Sequence, residues 1–191
     1  MPKRPNKVKF GLSNAHYALL SFDENGKITF GTPTPIPGSV NLNLSPQGDT
    51  NTFYADNVAY YVSAANGGYQ GDLEIALIPE SFAQDVLKET LDPTDKVMVE
   101  NSAAEAAPFA LLFEFSGDQH AVRHVLYNCT AARPNITGAT TTNTKEPQTA
   151  SLSITAAPLA DGRVKAKTTA DTPEAVCAGW YQSVWMPGEV A

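Results

Sequence analysis

The residues best suited to ligate a metal or act as nucleophiles are three histidines and two cysteines. His120 and His124 are four residues apart, which is a ligand spacing on a helix, but the apolar residues around them predict a strand and no third ligand is near in sequence. Cys129 and Cys177 have no histidine partner close by in the sequence. We therefore interpret the two histidines as exposed strand residues and the cysteines as small buried thiols.

The nearest local pair of carboxylates is Asp72 and Glu74, two residues apart, which puts both on one face of a strand. Paired carboxylates could serve a glycosidase, but a solvated polar face is the usual reason for this spacing. The sequence contains no phosphate-binding glycine loop and no Gly-x-Ser-x-Gly motif. We therefore predict that the chain is not an enzyme and needs no cofactor and no metal.

The charge is unevenly distributed along the 191 residues, which hold 20 acidic and 13 basic side chains for a net charge of −7. Four of the basic residues (Lys3, Arg4, Lys7 and Lys9) lie in the first nine positions, where there is no acid. This basic arm, residues 1–9, is either a solvated tail or a segment that docks on an acidic neighbouring copy. The acidic balance argues against a protein that wraps nucleic acid.

The hydrophobic runs and the cysteine content further limit the class of protein to which the chain can belong. No apolar run approaches the roughly 18 residues that a membrane span needs, so we expect no membrane segment. The basic start is not followed by an apolar segment, which argues against a secretory signal. Two cysteines do not make a disulfide framework and suit a reducing compartment.

The dominant hydrophobic period is two residues, which predicts half-buried strands. The alternation is clearest in Val40–Ser45, Tyr69–Leu77, Phe109–Phe115 and Leu152–Ala156. Three turn signals predict hairpins. Asn25-Gly26 joins His16–Ser21 to Lys27–Phe30, Gly117-Asp118 joins Phe109–Phe115 to Val122–Thr130, and Asp161-Gly162 joins Ser151–Ala157 to Arg163–Thr168.

Two helices and two long loops interrupt the strands. One helix is predicted over Pro79–Glu89, and a second follows Thr172-Pro173-Glu174 and ends near Pro187-Gly188. The loops are Ser45–Asp56 and Arg133–Pro147. The whole chain, residues 1–191, is predicted to be one α+β domain that is mostly β.

The C-terminal helix carries an apolar stripe formed by Val176, Trp180 and Val184 at intervals of four residues. A stripe of this kind must be covered. We expect it to pack against the flank of the subunit's own sandwich, with packing against a neighbouring copy as the alternative.

Nine segments, taken together in their order and spacing along the chain, form a pattern that is specific enough to compare with a known family. They are Lys9–Ala18, Pro35–Val40, Gly48–Thr50, Phe53–Asn57, Gly67–Glu74, Ile78–Phe82, Pro108–Phe115, His124–Cys129 and Lys165–Thr169. Together they resemble the major tail (tail tube) proteins of long-tailed bacteriophages and prophages, of the phi-thirteen type. The resemblance runs from Lys7 to about Trp185. It carries over no catalytic residue, because such proteins are structural.

The resemblance implies a β-sandwich of two crossed antiparallel sheets with a flanking helix. It implies hexameric rings that stack into a tail tube, with strands of six copies joined into one barrel around the lumen. The partners would be other copies of the chain together with tape-measure and tail-end proteins, and DNA would pass through without specific binding. The protein would be assembled in the host bacterial cytoplasm and reside in the virion tail.

The same resemblance suggests roles for particular residues. Asp72, Glu74 and Glu114 are candidates to face the lumen, where six copies of each carboxylate would repel phosphate. The loop residues Phe53, Tyr54, Ala55, Asp56 and Asn57, with the basic arm, are candidates for contacts between subunits.

The main alternative is a β-sandwich binding module, for example for carbohydrate. Aromatic side chains such as Phe53, Tyr54 or Tyr69 could stack on sugars in such a module. An enzyme whose carboxylates are brought together only by the fold is a more distant alternative.

Overall fold

A computed structural model describes residues 4–141 and 146–188, so Lys3 of the basic arm lies outside the described residues. The strands are β1 (Lys9–Phe22), β2 (Ile28–Phe30), β3 (Thr34–Pro35), β4 (Ser39–Gln47), β5 (Thr50–Ala55), β6 (Val58–Ala64), β7 (Gly68–Ile75), β8 (Thr90–Leu91), β9 (Met98–Val99), β10 (Phe109–Gly117), β11 (Val122–Ala131), β12 (Ala150–Ala157) and β13 (Lys165–Lys167). The helices are α1 (Glu80–Asp85) and α2 (Glu174–Gly179). The prediction of a mostly β chain with two helices is confirmed.

One antiparallel sheet contains most of the strands, in the order β2-β1-β10-β11-β12-β7-β4, with β3 added to β1 and β13 to β11. The sheet folds over so that one buried cluster contains side chains from both β1-β10-β11 and β12-β7-β4. It does not close into a barrel, and within the described chain β4 pairs with β7 alone. The fold is therefore a sandwich with an unpaired edge at β4.

Strand β10 is the centre of the molecule because both of its faces are covered. Phe109 and Leu111 point into the core between the two halves of the sandwich. Ala110 and Leu112 point the other way, into a second apolar layer that the C-terminal segment covers through Trp180. A strand buried on both faces is apolar at consecutive positions, as in the run Phe109–Phe113, so the half-buried strand predicted from the alternation is in fact covered on both faces.

The prediction that Ser45–Asp56 forms a long loop is wrong. Strand β4 continues to Gln47, and the chain then forms a β-hairpin from β5 and β6. Asp56 and Asn57 have φ values of 52° and 61°, as the two central residues of a type I′ turn require. Asn and Asp tolerate this region better than other residues with a Cβ, so the turn forms without glycine.

The hairpin continues the β4–β7 ladder beyond the sandwich. Gly67 N donates to Gln47 O over 2.7 Å, and Ala65 N donates to Asp49 O over 3.0 Å. A Cβ on Gly48, whose φ is 144°, would lie 2.0 Å from Ala65 O, so only glycine permits the two chains to approach here. The result is one long ribbon whose outer part, β5–β6, makes its extensive contacts only between its own two strands.

The prediction of a hairpin at Asp161-Gly162 is also wrong. A tight turn does form, with Gly162 N donating to Leu159 O over 2.9 Å. Its flanking strands do not pair with each other, because both β12 and β13 pair with the same edge of β11. The hairpins predicted at Asn25-Gly26 and Gly117-Asp118 are confirmed by the β1–β2 and β10–β11 pairings.

Both predicted helices are shorter in the structure. Helix α1 occupies Glu80–Asp85 rather than Pro79–Glu89, although Phe82, Val86 and Leu87 are all buried as expected. The C-terminal helix ends at Gly179 rather than near Gly188, and the chain continues along the sandwich without helical structure. In the Arg133–Pro147 loop, the described residues form no helix or strand, and residues 142–145 lie outside the description.

Candidate functional site

The outer face of β4, β7 and β12 is uniformly polar. Asp72 is in register with Asn43 on one side and Ser153 on the other, and Glu74 lies between Asn41 and Ser151 in the same way. The Ser153 hydroxyl donates to Asp72 Oδ1 over 2.6 Å. The Thr149 hydroxyl donates to Glu74 Oε1 over 2.6 Å.

The structure therefore places Asp72 and Glu74 together on this polar face, as predicted from their spacing. The three strands contain no lysine or arginine, and neither does the whole stretch from Ile28 to Leu87. The face consequently presents carboxylates among neutral hydroxyl and amide groups, and an anion approaching it meets no cation.

Glu114 does not belong to this face, which corrects the prediction that it points outward. It lies on the side of β10 that faces the C-terminal segment and is only 9% exposed. Arg123 Nε donates to Glu114 Oε2 over 3.0 Å, and Asn14 Nδ2 donates to Glu114 Oε1 over 2.7 Å. The Tyr181 hydroxyl donates to Oε2 over 3.3 Å. These partners hold the carboxylate inside the subunit, where it cannot line a channel.

Arg123 links this carboxylate to the C-terminal segment. Its Nη1 donates to the Cys177 carbonyl over 2.8 Å. Burial opposes the charge of the guanidinium, but the hydrogen bond and charge of Glu114 outweigh it and raise the pKa of Arg123. Burial, reinforced by the Glu114 charge, also raises the pKa of Tyr181.

The β5–β6 hairpin exposes large apolar side chains on both of its faces. Phe53 is directly opposite Tyr61 in the register, and Tyr54 is opposite Ala59 beyond a bulge at Tyr60. The large apolar side chains of the hairpin that are more than half exposed are Phe53, Tyr54, Val58, Tyr60, Tyr61 and Val62, and Tyr60 is the most exposed of these at 71%. The candidate residues Asp56 and Asn57 at its turn are exposed as well, and Ala55 is half-buried. We call residues 50–64 the aromatic hairpin.

Residues 6–9 of the basic arm lie against their own subunit. Asn6 Nδ2 donates to His120 O over 2.7 Å, and Lys7 N donates to Asp118 Oδ1 over 2.8 Å at the β10–β11 turn. Lys9 is the first residue of β1, and Arg4 is exposed. The arm is thus fixed along residues 6–9, which places Lys7 and Lys9 at a defined position on the sandwich.

A cleft of about 350 Å³ lies between β4 and the β10–β11 pair. Its walls include Leu42 and Leu44 of β4 and Phe113 and Phe115 of β10. Lys9 lies 4.6 Å from the centre of the Phe115 ring. We call this feature the lysine-rimmed cleft.

On the opposite rim, Lys165 Nζ lies 4.2 Å from the centre of the Tyr69 ring and also donates to the Tyr69 hydroxyl. His124 is half-buried in the cleft rather than exposed as predicted, and its ring stacks on Phe113 with centroids 5.1 Å apart. Burial lowers the pKa of His124 to about 4, and the charges of Lys167, Lys165 and Lys9 add to the effect. A neutral ring thus faces a rim of cations.

The C-terminal candidates pack within the subunit. Trp180 is 3% exposed and belongs to the second apolar layer, and its Nε1 donates to His124 O over 3.4 Å. Val176 and Val184 pack against the same layer, although Val184 lies beyond the end of α2. The expected packing against the subunit's own sandwich is the arrangement found in the structure.

No metal centre is found in the part of the chain that the structure describes. Within residues 4–141 and 146–188, no three His, Cys, Asp or Glu side chains come together as metal ligands. Cys129 is fully buried, and burial raises the pKa of its thiol to about 12, so it is protonated at neutral pH. Among the same residues, no helix has both the length and the hydrophobicity to cross a bilayer.

No protein-family model matches the chain, and no curated protein matches its sequence.

Sequence reasoning missed the hairpin and the cleft. The hairpin has a local signal, since Asp56-Asn57 separates two runs rich in aromatic and β-branched residues. The cleft has none, because its lysines lie more than 150 residues apart in the chain.

Proposed function

We propose that the chain is a structural tail-tube protein that assembles through repeated contacts with copies of itself into rings and a hollow tube. The single observation that carries this proposal is the aromatic hairpin, which exposes six large apolar side chains on a ribbon that projects from the sandwich. A surface of this kind in an otherwise well-packed domain marks a protein interaction site.

The unpaired edge of β4 supports assembly into rings. The strand has nine residues and no charged side chain, and among the described residues it pairs only with β7. Proteins usually protect such an edge with charges or cover it, because its free N–H and C=O groups can pair with another chain. In the proposed ring, which the resemblance suggests is hexameric, this edge joins a strand of the next copy.

The polar face of β4, β7 and β12 is the proposed lining of the channel. These strands include the edge that would join the next copy, so their outer faces would form a continuous wall around the lumen. Asp72 and Glu74 would repeat around each ring and repel the phosphates of passing DNA. Tape-measure and tail-end proteins are the further partners that this function requires.

Electron microscopy of the purified full-length chain, with sedimentation velocity across a range of concentrations, tests the proposal. Rings or tubes of constant diameter are the expected result. A monomer at all concentrations, with no particles on the grid, would overturn it.

The alternative of a carbohydrate-binding module rests on the same exposed rings. Tyr54, Tyr60 and Tyr61 of the aromatic hairpin have the chemistry to stack on sugars. A dispersed monomer that binds a glycan array through these tyrosines would favour this alternative over the tube.

A further inference from the structure

We propose that the lysine-rimmed cleft of one copy receives aromatic side chains from the hairpin of another copy. This inference rests on the proposed function and deepens it, because it names the two surfaces that meet. The occupant is a second copy of this chain, inserted through residues 50–64.

The two surfaces match in chemistry. The cleft offers Leu42, Leu44, Phe113 and Phe115 as apolar wall, and the hairpin offers exposed aromatic rings of the kind that fill such walls. The hairpin presents apolar side chains on both faces, and the cleft walls can cover rings from the face that enters the cleft.

The charges are complementary as well. Lys9 and Lys165 stand on the rim, and Lys167 is close enough to affect the titration of His124. The hairpin and its base carry Asp49 and Asp56 and no basic residue. Charge complementarity of this kind favours encounter between the two surfaces and fixes their register.

The hairpin of a subunit does not fill its own cleft. Leu44 and Tyr69, which line the cleft, are on the strands that run on into the hairpin. The ladder continues across the base of the hairpin through the bonds of Gln47 and Asp49, so the ribbon extends the sheet instead of folding back over it. Two different surfaces that meet between copies make a heterologous contact, which generates either closed rings or open stacks.

Cross-linking between two variants that each carry one accessible cysteine tests the contact. In a Cys177→Ser background, with Cys129 left buried, one chain carries Ala55→Cys beside the hairpin turn and the other carries Lys165→Cys on the cleft rim. A short bismaleimide should join the two in a mixture of assembled chains. The matched control replaces Lys165→Cys by Glu105→Cys, an exposed position in the loop before β10, and should give no cross-link.

A charge-reversal series provides a second measurement that does not depend on the cysteines. Lys165→Glu with Lys167→Glu should raise the concentration needed for assembly by at least about 10-fold, and Asp49→Lys with Asp56→Lys in the same chain should restore it. Unchanged unfolding midpoints confirm that the variants fold.

The outcomes separate this contact from the proposed function. The contact is overturned if tubes form but Ala55→Cys cross-links to Glu105→Cys as readily as to Lys165→Cys. It is also overturned if tubes form and Ala55→Cys cross-links to neither. In both cases the proposal of a tube still stands. A parent chain that forms no particle at any concentration would overturn both.

Discussion

Glu114 of β10 and Arg123 of β11 are direct cross-strand neighbours, joined by a 3.0 Å hydrogen bond from Arg123 Nε to Glu114 Oε2. The pair lies beneath the C-terminal segment, which it holds through the Cys177 carbonyl and the Tyr181 hydroxyl. The ion pair is therefore part of the subunit's own structure.

Replacing Glu114 by Gln should destabilise the subunit, because it leaves the largely buried Arg123 charge without its counter-ion. We expect a loss of about 2–3 kcal/mol in the free energy of unfolding, measured with urea. The matched control is Glu100→Gln, which removes the 2.9 Å pair between Glu100 and Arg133 at the exposed surface. That change should cost at most about 1 kcal/mol. Equal effects of the two substitutions would contradict the buried role of Glu114.

Trp180→Ala should cost about 3–5 kcal/mol of unfolding free energy, because it removes a ring that is 3% exposed in the second apolar layer. The measurement is the unfolding midpoint of the unassembled protein. Tyr60→Ala removes an aromatic ring that is 71% exposed and should change the free energy of unfolding by at most about 0.5 kcal/mol. An unchanged midpoint for Trp180→Ala together with lost assembly would instead place the ring at an interface between copies.

His124 should make the stability of the subunit depend on pH. Its pKa is about 4 in the fold and about 6.5 when unfolded, so between these values the unfolded chain binds more protons. The contribution of neutral His124 to the free energy of unfolding is complete above pH 6.5 and is lost as the pH falls toward 4. The full shift corresponds to about 3 kcal/mol, and partial solvent exposure reduces our expectation to about 1–2 kcal/mol.

His124→Phe is the variant that checks this dependence, since a phenyl ring can retain the stacking on Phe113. The wild-type protein should lose stability relative to the variant between pH 6.5 and 4, as urea unfolding at several pH values would measure. Parallel pH profiles of the two proteins would refute the assignment.

Removal of the aromatic hairpin should separate folding from assembly. A variant with Asn-Gly in place of Thr50–Ala64 keeps the bonds at the base of the hairpin and the whole sandwich core. It should unfold at nearly the same urea concentration as the parent and form no tubes. Phe53→Ser with Tyr54→Ser should have the same effect, whereas Thr52→Ser should assemble normally. Tubes from the deletion variant would show that the hairpin is dispensable.

Local signals in the sequence predicted the central strands well. Phe109–Phe115 and Asn25-Gly26 carry patterns that depend only on neighbouring residues, and the strand and the hairpin that they predict both form. The Asp161-Gly162 turn also forms, but its pairing depends on β11, which lies 30 residues away in sequence. Local sequence patterns therefore specify where a turn forms more completely than they specify which strands pair with each other.

The polar face was predictable in part, and the buried carboxylate was not. Asp72 and Glu74 follow the period of one strand, and that period alone places them on a common face. Glu114 follows the same period, but its environment is set by Tyr181, which is 67 residues away along the chain. An alternating pattern predicts that a residue points away from one core and cannot reveal that a second layer covers the other face.

The central claim is that copies of this chain form a tube whose channel is lined by the polar face of β4, β7 and β12. Cryo-electron microscopy of the particles formed by the purified full-length protein tests it most directly. The account predicts stacked rings around an open channel, with Asp72 and Glu74 of every copy facing the lumen. A protein that stays monomeric on the grid, or a tube in which these two carboxylates lie on the outer wall or between rings, would contradict it.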